Sequence, residues 1–127
     1  GDIQSKRWET AQQWAQRWGQ VVALKGAFTV VASPTAGLAV NPFANPALAS
    51  AGTGDVLAGA IGGLLAQGLS PFEAACCGVY LHAAAGEHVR VQVGDSGLLA
   101  SDLLLWIAQA ARALRSGLTA SGPGADW

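Results

Sequence analysis

The chain has 127 residues, of which 51% are hydrophobic and 12% are charged, and its formal net charge is −1 at pH 7. The length suffices for one domain with one hydrophobic core, and the composition excludes a disordered chain, which needs low hydrophobicity and high charge. The near-neutral charge excludes a general attraction to nucleic acid or anionic membranes. Any phosphate site must therefore be built locally from backbone amides and one or two cations.

The first predicted element is a helix from Ser5 to about Trp18, which Gly19 ends. Tryptophans and alanines recur along it at three- and four-residue steps and predict one apolar packing face, made of Trp8, Ala11, Trp14, Ala15 and Trp18. The first twenty residues are too polar for a signal peptide, and no apolar run reaches the roughly 20 residues of a membrane span. We therefore predict a cytoplasmic protein.

Three short strands are predicted next, over Val21–Leu24, Phe28–Ala32 and Leu38–Val40. Continuous apolar runs of this length are typical of buried strands. The last two are close enough in the chain to form a hairpin. Residues 41–46 contain two prolines and are predicted to form a loop.

The second half of the chain predicts three helices. The first runs from Thr53 to Gln67. Its three glycines, Gly59, Gly62 and Gly63, weaken a helix intrinsically, and we expect them to permit close backbone packing instead.

The second helix opens at Ser70–Glu73, which offers a hydroxyl cap, a proline at the first helical position and a glutamate at the third. It runs to about Val89 and is apolar almost all round, so we expect it to be buried. Its adjacent Cys76 and Cys77 suit neither a disulfide nor a zinc site, and we interpret them as small buried residues. A loop is predicted over Arg90–Leu98.

The last helix is predicted from about Ser101, its cap, to Arg115, with Gly117 as its end. Residues 116–127 are predicted to form a flexible tail.

One stretch points to chemistry, because Gly52, Thr53 and Gly54 stand where a helix begins. Glycines let the backbone approach an anion closely, and first-turn amides have no internal partner. This segment predicts an anion hole. Asp55 lies in the same turn and has two interpretations of about equal weight. It is either a carboxylate that stabilises the helix start or a general base beside a bound phosphate.

A second candidate site is Lys25–Thr29, where a lysine follows an apolar strand. Strand ends are where α/β folds bind ligands, although a turn lysine exposed to solvent explains the pattern equally well. His82 and His88 are six residues apart on one predicted helix, which is a poor metal spacing, so both are interpreted as structural. The chain has no Walker-type loop and no nucleophile elbow.

The run Asn45–Gly59 resembles the signature of the ribokinase-like superfamily. Four further stretches are similar to the NAD(P)H-hydrate dehydratase family: Leu24–Ala27, Leu64–Ala75, Gly78–His82 and Gly97–Leu103. The Gly-Thr-Gly-Asp core is shared by many small-molecule kinases, whereas the combined order of the motifs is much more specific. The resemblance covers about residues 1–115.

The resemblance implies an α/β protein with a ribokinase-like three-layer fold, of which this chain holds the C-terminal half with short strands followed by several helices. It also implies an enzyme that removes water from hydrated NADH or NADPH while consuming ADP or ATP with Mg²⁺. Carried over by position, Lys25, Gly26, Ala27, Phe28, Thr29 and Gly54 would bind the nucleotide. Gly52, Thr53 and Gly54 would form the anion hole, and Asp55 would face the hydrated ring as the catalytic carboxylate.

The chain departs from the family pattern at Ala47, Leu48 and Ala51, where the family usually or often has Gly, Met and Gly. A larger departure is length, because family domains are about twice as long. The part expected before Gly1 carries the start of the central parallel sheet and much of the wall that binds the hydrate. We therefore expect association with that N-terminal half or with further copies of this chain.

Two other functions fit the same residues. A ribokinase-like kinase of a vitamin precursor, of the hydroxymethylpyrimidine or hydroxyethylthiazole type, would use Asp55 to deprotonate a substrate hydroxyl. A non-catalytic nucleotide-binding module would bind ADP without turnover.

Overall fold

The structure of the chain, a computed structural model, describes residues 2–49, 51–94 and 99–116. Its elements follow the predicted order of one helix, three strands and three helices. They are α1 (Asp2–Trp18), β1 (Val22–Leu24), β2 (Val30–Ser33), β3 (Gly37–Val40), a 3₁₀ turn (Pro46–Ala49), α2 (Thr53–Ala66), α3 (Pro71–Val93) and α4 (Asp102–Arg115). The predicted α/β class is confirmed.

The three strands form an antiparallel sheet in the order β1-β2-β3, and β2 is buried along its whole length. Alternate residues of β2 pack into two different hydrophobic clusters, because successive side chains of a strand point to opposite faces of the sheet. Val30 and Ala32 pack against Ala11 and Ala15 of α1, whereas Val31 packs into a cluster with α2 and α3. The sheet is thus the middle of three layers.

The second strand begins two residues later than the sequence predicted. Phe28 has a φ of +53°, a left-handed conformation that a strand cannot contain, so regular pairing starts at Val30. The predicted hairpin is confirmed, and its register pairs Val30 with Val40 and Ser33 with Gly37.

The apolar face of α1 is made by its small residues. Ala11 and Ala15 are completely buried against the sheet, while Trp8 and Trp18 are 42% and 58% exposed. The packing prediction is therefore right for the alanines and wrong for these two tryptophans within the described residues. A methyl group allows a helix to lie close to a sheet, and an indole ring does not. The helix ends as predicted, with Gly19 at a φ of +62°.

α1 begins at Asp2, three residues before its predicted start, and the end of α3 and the cap of α4 also differ from the prediction. Ser70 and Glu73 form the expected capping box at the start of α3. At α4, however, Ser101 makes no capping bond, and the carboxylate of Asp102 accepts from the Leu99 amide at 2.8 Å instead. α3 also continues through Arg90 to Val93, where a loop was predicted. Arg90 pairs with Glu87 one turn earlier, which favours helix there. Residues 95–98, Gly117 and the tail lie outside the described residues.

No helix in the described ranges has both the length and the apolarity of a membrane span. Cys76 and Cys77 are free and half-buried, and burial raises the pKa of the Cys76 thiol.

Close helix packing depends on a glycine other than the three predicted. A Cβ placed at Gly59, Gly62 or Gly63 of α2 would meet no described atom within 4 Å, so the close-packing prediction is wrong at these positions. The close contact between α2 and α3 is made instead at a glycine of α3. A Cβ at Gly78 of α3 would lie 2.6 Å from Ile61 Cγ1.

Gly78→Ala is therefore expected to lower the free energy of unfolding by about 1–3 kcal/mol, because Ile61 and the backbone of α2 must move. Gly62→Ala is the matched control at an open helical position, and it should raise the same free energy by about 0.5–1 kcal/mol. Urea unfolding of both variants measures the difference. Equal stability of the two would contradict the contact between α2 and α3.

Candidate functional site

The two predicted candidate segments line one cavity of about 730 Å³. Lys25, Gly26, Ala27 and Thr29 form one side, and the start of α2 with Gly52–Asp55 forms another. Phe28, which was also predicted to bind the nucleotide, does not line the cavity. The loop after β3 and the middle of α3 complete the wall. A volume of this size suits a small-molecule ligand.

The start of α2 offers a backbone donor to this cavity. Gly52 precedes the helix at a φ of +85°, where a side chain would be strained. Its carbonyl accepts from the amides of Asp55 at 3.1 Å and Val56 at 3.3 Å, so these two donors are occupied. The Gly54 amide makes no hydrogen bond to any described residue. It is a first-turn amide that can receive an anion.

A cation stands beside this amide. A Cβ built at Gly54 would lie 2.6 Å from Lys25 Nζ, so the ammonium group occupies the space that a side chain at position 54 would take. The lysine at the end of β1 and the glycine at the start of α2 are thus brought into contact. Together with the positive end of the helix dipole, they concentrate positive potential in a chain whose net charge is −1.

The loop in front of α2 is fixed by buried packing. The hydroxyl of Thr53, which is 2% exposed, donates to the Leu48 carbonyl at 2.6 Å. The Leu48 side chain lies directly against Gly86 of α3, where a Cβ would be 2.5 Å from Leu48 Cδ2. Thr53 therefore holds the loop with its side chain, and its contribution to an anion hole would come from the backbone.

His82 supports the same turn from α3. Its Nε2 lies 2.8 Å from the Thr53 carbonyl oxygen and donates to it, because a carbonyl only accepts. Burial lowers the pKa of His82 below its usual 6.5, and the nearby Lys25 lowers it further, against the opposing effect of the Thr53 bond. The structural interpretation of this histidine holds, but the structure it supports is the wall of the cavity.

The lowered pKa gives the stability a defined pH dependence. The unfolded chain binds the proton more readily than the folded one, so the free energy of unfolding should fall as the pH drops below about 6.5. Burial also lowers the pKa of His88, whose ring lies tilted against the Trp106 ring, so both histidines contribute. Urea unfolding between about pH 5 and pH 7.5 measures the slope. It should flatten in His82→Gln and separately in His88→Gln, and an unchanged slope in both would contradict this prediction.

The loop Lys25–Thr29 is a closed turn. Thr29 Oγ1 donates to the Gly26 carbonyl at 3.1 Å and accepts from the Gly26 amide at 3.4 Å. The Phe28 amide donates to the Phe43 carbonyl at 3.2 Å, which ties the turn to the loop after β3. The Thr29 hydroxyl is thus engaged within the turn.

Asp55 is exposed at the cavity edge, in the first turn of α2. Its side chain is not used as a cap, since the cap residue Gly52 and its carbonyl organise this turn. Asp55 directly follows Gly54 in the chain, and it lines the same cavity as Lys25 and Gly54. The arrangement can place a phosphate, a cation and a proton acceptor side by side.

The sequence analysis missed Asn41. Its side chain is 92% buried in the cavity wall, and its Oδ1 has no hydrogen-bond partner among the described residues. Buried acceptors are nearly always satisfied, so this oxygen is unusual. The pattern that could have indicated it is an asparagine at the end of a strand directly before proline, which we interpreted only as loop.

A three-layer α/β arrangement that brings a strand-end lysine to a glycine-rich helix start is of the ribokinase-like class. Within that class the family is defined by the sequence. The chain belongs to the NAD(P)H-hydrate dehydratase family, whose profile matches residues 1–109.

Individual relatives agree. The chain is 44% identical over 127 residues to the bifunctional NAD(P)H-hydrate repair enzyme Nnr of Moorella thermoacetica, a match covering 98% of this chain and 24% of that protein. It is 46% identical over 120 residues to the ADP-dependent (S)-NAD(P)H-hydrate dehydratase of Neisseria meningitidis serogroup B, covering 94% and 39%.

A solved structure supports the fold. The ADP/ATP-dependent NAD(P)H-hydrate dehydratase from Bacillus subtilis, co-crystallized with ATP/Mg²⁺, matches with a TM-score of 0.78 at 37% identity, over 87% of this chain and 40% of that one. The chain therefore spans between about a quarter and two fifths of the lengths of these relatives.

Proposed function

We propose that this chain supplies the nucleotide-phosphate site and the catalytic carboxylate of an ADP- or ATP-dependent NAD(P)H-hydrate dehydratase. The observation that carries the proposal is the position of Lys25 Nζ, which occupies the space that a side chain at Gly54 would take. Gly54 directly precedes Asp55 in the chain. The relatives' dependence on ADP or ATP supports the choice of ligand.

The nucleotide would bind along Lys25–Thr29, with its terminal phosphate at the start of α2. The Gly54 amide and the Lys25 ammonium would hold the phosphate oxygens, as charge-assisted hydrogen bonds do at helix starts. The backbones of Gly52 and Thr53 would complete the anion hole.

Use of a nucleotide suits the loss of water, because a hydroxyl leaves poorly and a phosphate leaves well. Asp55 would accept the proton of the hydrate's hydroxyl group. At the same time the oxygen of that hydroxyl would take the terminal phosphoryl group of the nucleotide. ADP would then yield AMP, and ATP would yield ADP. The phosphate would depart with the electrons of the carbon–oxygen bond, and the neighbouring ring carbon would release a proton to water as the double bond forms.

Mg²⁺ would accompany the nucleotide. The described residues contain no group of three His, Cys, Asp or Glu side chains that could hold a metal ion, and Asp55 is the carboxylate at the cavity. Mg²⁺ commonly uses one or two carboxylates together with phosphate oxygens and waters. The donors in this cavity therefore fit an ion carried by the nucleotide, where it would neutralise phosphate charge.

The wall that recognises the hydrated nicotinamide is proposed to come from a partner, either the N-terminal half of a family domain or another copy of this chain. Several apolar side chains on the surface are exposed, including Trp18, Leu104 and Leu105. The mass of the chain in solution, with and without ADP, tests self-association.

Turnover tests the function. Hydrated NADH with ADP and Mg²⁺ should regain the absorbance of the reduced nicotinamide, while hydroxymethylpyrimidine with ATP should not be phosphorylated. Phosphorylation of the vitamin precursor without dehydration would favour the kinase alternative. ADP binding without either reaction, unchanged in Asp55→Asn, would favour a non-catalytic module.

A further inference from the structure

We propose that Arg7 of α1 is a positioning residue for the nucleotide, acting through the loop Lys25–Thr29 without touching the ligand. The inference rests on the proposed nucleotide binding at that loop. Arg7 lies 17 and 20 residues before the two carbonyls that it contacts, so the connection is made only by the fold.

The guanidinium group joins the two ends of the turn. Arg7 Nη1 donates to the Ala27 carbonyl at 2.5 Å, and Nη2 donates to the Leu24 carbonyl at 3.2 Å. Leu24 is the last residue of β1, and Ala27 lies in the turn itself. The planar fork of an arginine can hold two such acceptors at once, whereas the single ammonium of a lysine has no fixed geometry for this.

The glycine between these carbonyls fits the arginine. Gly26 has a φ of +152°, and a Cβ placed there would lie 2.7 Å from Arg7 Nη2. The guanidinium therefore packs directly on the glycine backbone. Lys25 precedes Gly26 in the chain and supplies the ammonium group that lies against Gly54.

The turn has a conformation that needs such support. Among the described residues, Phe28 is the one non-glycine residue with a positive φ. A non-glycine residue in this region of backbone angles is strained. The internal Thr29 bonds close the turn on itself, and the Phe28–Phe43 bond ties it to the loop after β3. Arg7 is the contact that fixes the turn to the helix layer.

The position of the positive charge of Arg7 also suits this role. Carbonyl oxygens carry partial negative charge and would repel a phosphate. The Leu24 and Ala27 carbonyls are turned to the guanidinium. Arg7 thus engages the acceptor atoms of the turn, while Lys25 and the Gly54 amide provide donors at the cavity.

The test compares Arg7→Ala and Arg7→Lys with Arg17→Ala on the same helix. The Arg17 guanidinium lies 5.1 Å from the Trp14 ring and, among the described residues, makes no hydrogen bond to the turn. Amide hydrogen exchange of residues 25–29 is measured without nucleotide. Both Arg7 variants should speed exchange in this turn about tenfold or more, while exchange in β2 and α3 stays as in the unaltered chain. Arg17→Ala should change neither region.

The second readout is calorimetric ADP binding, with KM and kcat wherever turnover is measured. Both Arg7 variants should weaken ADP binding about tenfold, and the nucleotide KM should rise while kcat stays nearly constant, because loss of uniform binding affects KM alone. Near-normal ADP binding in Arg7→Lys would overturn the proposal, because it would show that a positive charge at position 7 is sufficient and that the planar guanidinium is not needed. Unchanged exchange at residues 25–29, or faster exchange spread evenly over β2 and α3, would also overturn it. If the unaltered chain does not bind ADP, the proposed function fails, and the exchange measurement still decides the role of Arg7.

Discussion

Replacing Asp55 by Asn is expected to lower kcat for dehydration of hydrated NADH by about 10²–10⁴-fold, the usual contribution of a general base. The amide is nearly isosteric with the carboxylate but cannot accept the proton. Because Asp55 is exposed and the Gly52 carbonyl organises the helix start, the fold should be retained. Steady-state kinetics at saturating ADP measures the loss.

The same variant should bind ADP as tightly as the unaltered chain or more tightly. A carboxylate beside the anion hole repels phosphate, so removing its charge favours binding while it abolishes the proton acceptor. Loss of turnover while ADP binding is kept or strengthened is the mark of a catalytic carboxylate. A residue that merely stabilised the helix start would change stability and leave kcat intact.

Asp102→Asn is the matched control, because Asp102 is also an acidic residue in the first turn of a helix. It accepts from the Leu99 amide and lies outside the cavity wall, so its replacement should reduce stability and spare kcat. Full dehydratase activity in Asp55→Asn would rule out the proposed role of Asp55.

The parts of the fold that followed from sequence are those set by local chemistry. The capping box at Ser70 and Glu73 was predictable because the residues that bond lie three positions apart. The end of α1 at Gly19 was predictable because few other residues adopt a left-handed turn without strain. The burial of α3 followed from its composition.

The errors arose where a distant partner decides the outcome. The glycines of α2 resembled packing positions, but only the three-dimensional structure shows that Gly78 of α3 receives Ile61 instead. Phe28 has the composition of a strand residue, but its turn is fixed by bonds to Thr29, Phe43 and Arg7. The candidate site shows the same division. Lys25 and Gly52–Asp55 stood out locally, while His82, Asn41 and Arg7 join the site only through contacts 12 to 29 residues away in sequence.

The contact between Lys25 and Gly54 allows the sharpest test of the proposed phosphate site. Gly54→Ala should weaken ADP binding about 10- to 150-fold, because a methyl group at that position displaces an ammonium that would otherwise make charge-assisted bonds to phosphate. The helix itself should tolerate the change, since alanine favours helix and the end of a lysine side chain can move. Gly59→Ala, on the same helix with no described atom within 4 Å, should bind ADP normally.

A double-mutant cycle with Lys25→Met separates two reasons for requiring glycine there. If Gly54→Ala acts by displacing the ammonium, it should have little further effect once Lys25 is replaced, and the two free energies will be strongly non-additive. If the glycine is needed because the phosphate itself approaches the backbone, the loss will persist in the Lys25→Met background. Wild-type affinity for ADP in Gly54→Ala would contradict both and would remove the start of α2 from the nucleotide site. The cycle therefore assigns the site to the ammonium, to the bare backbone or to neither, by calorimetry alone.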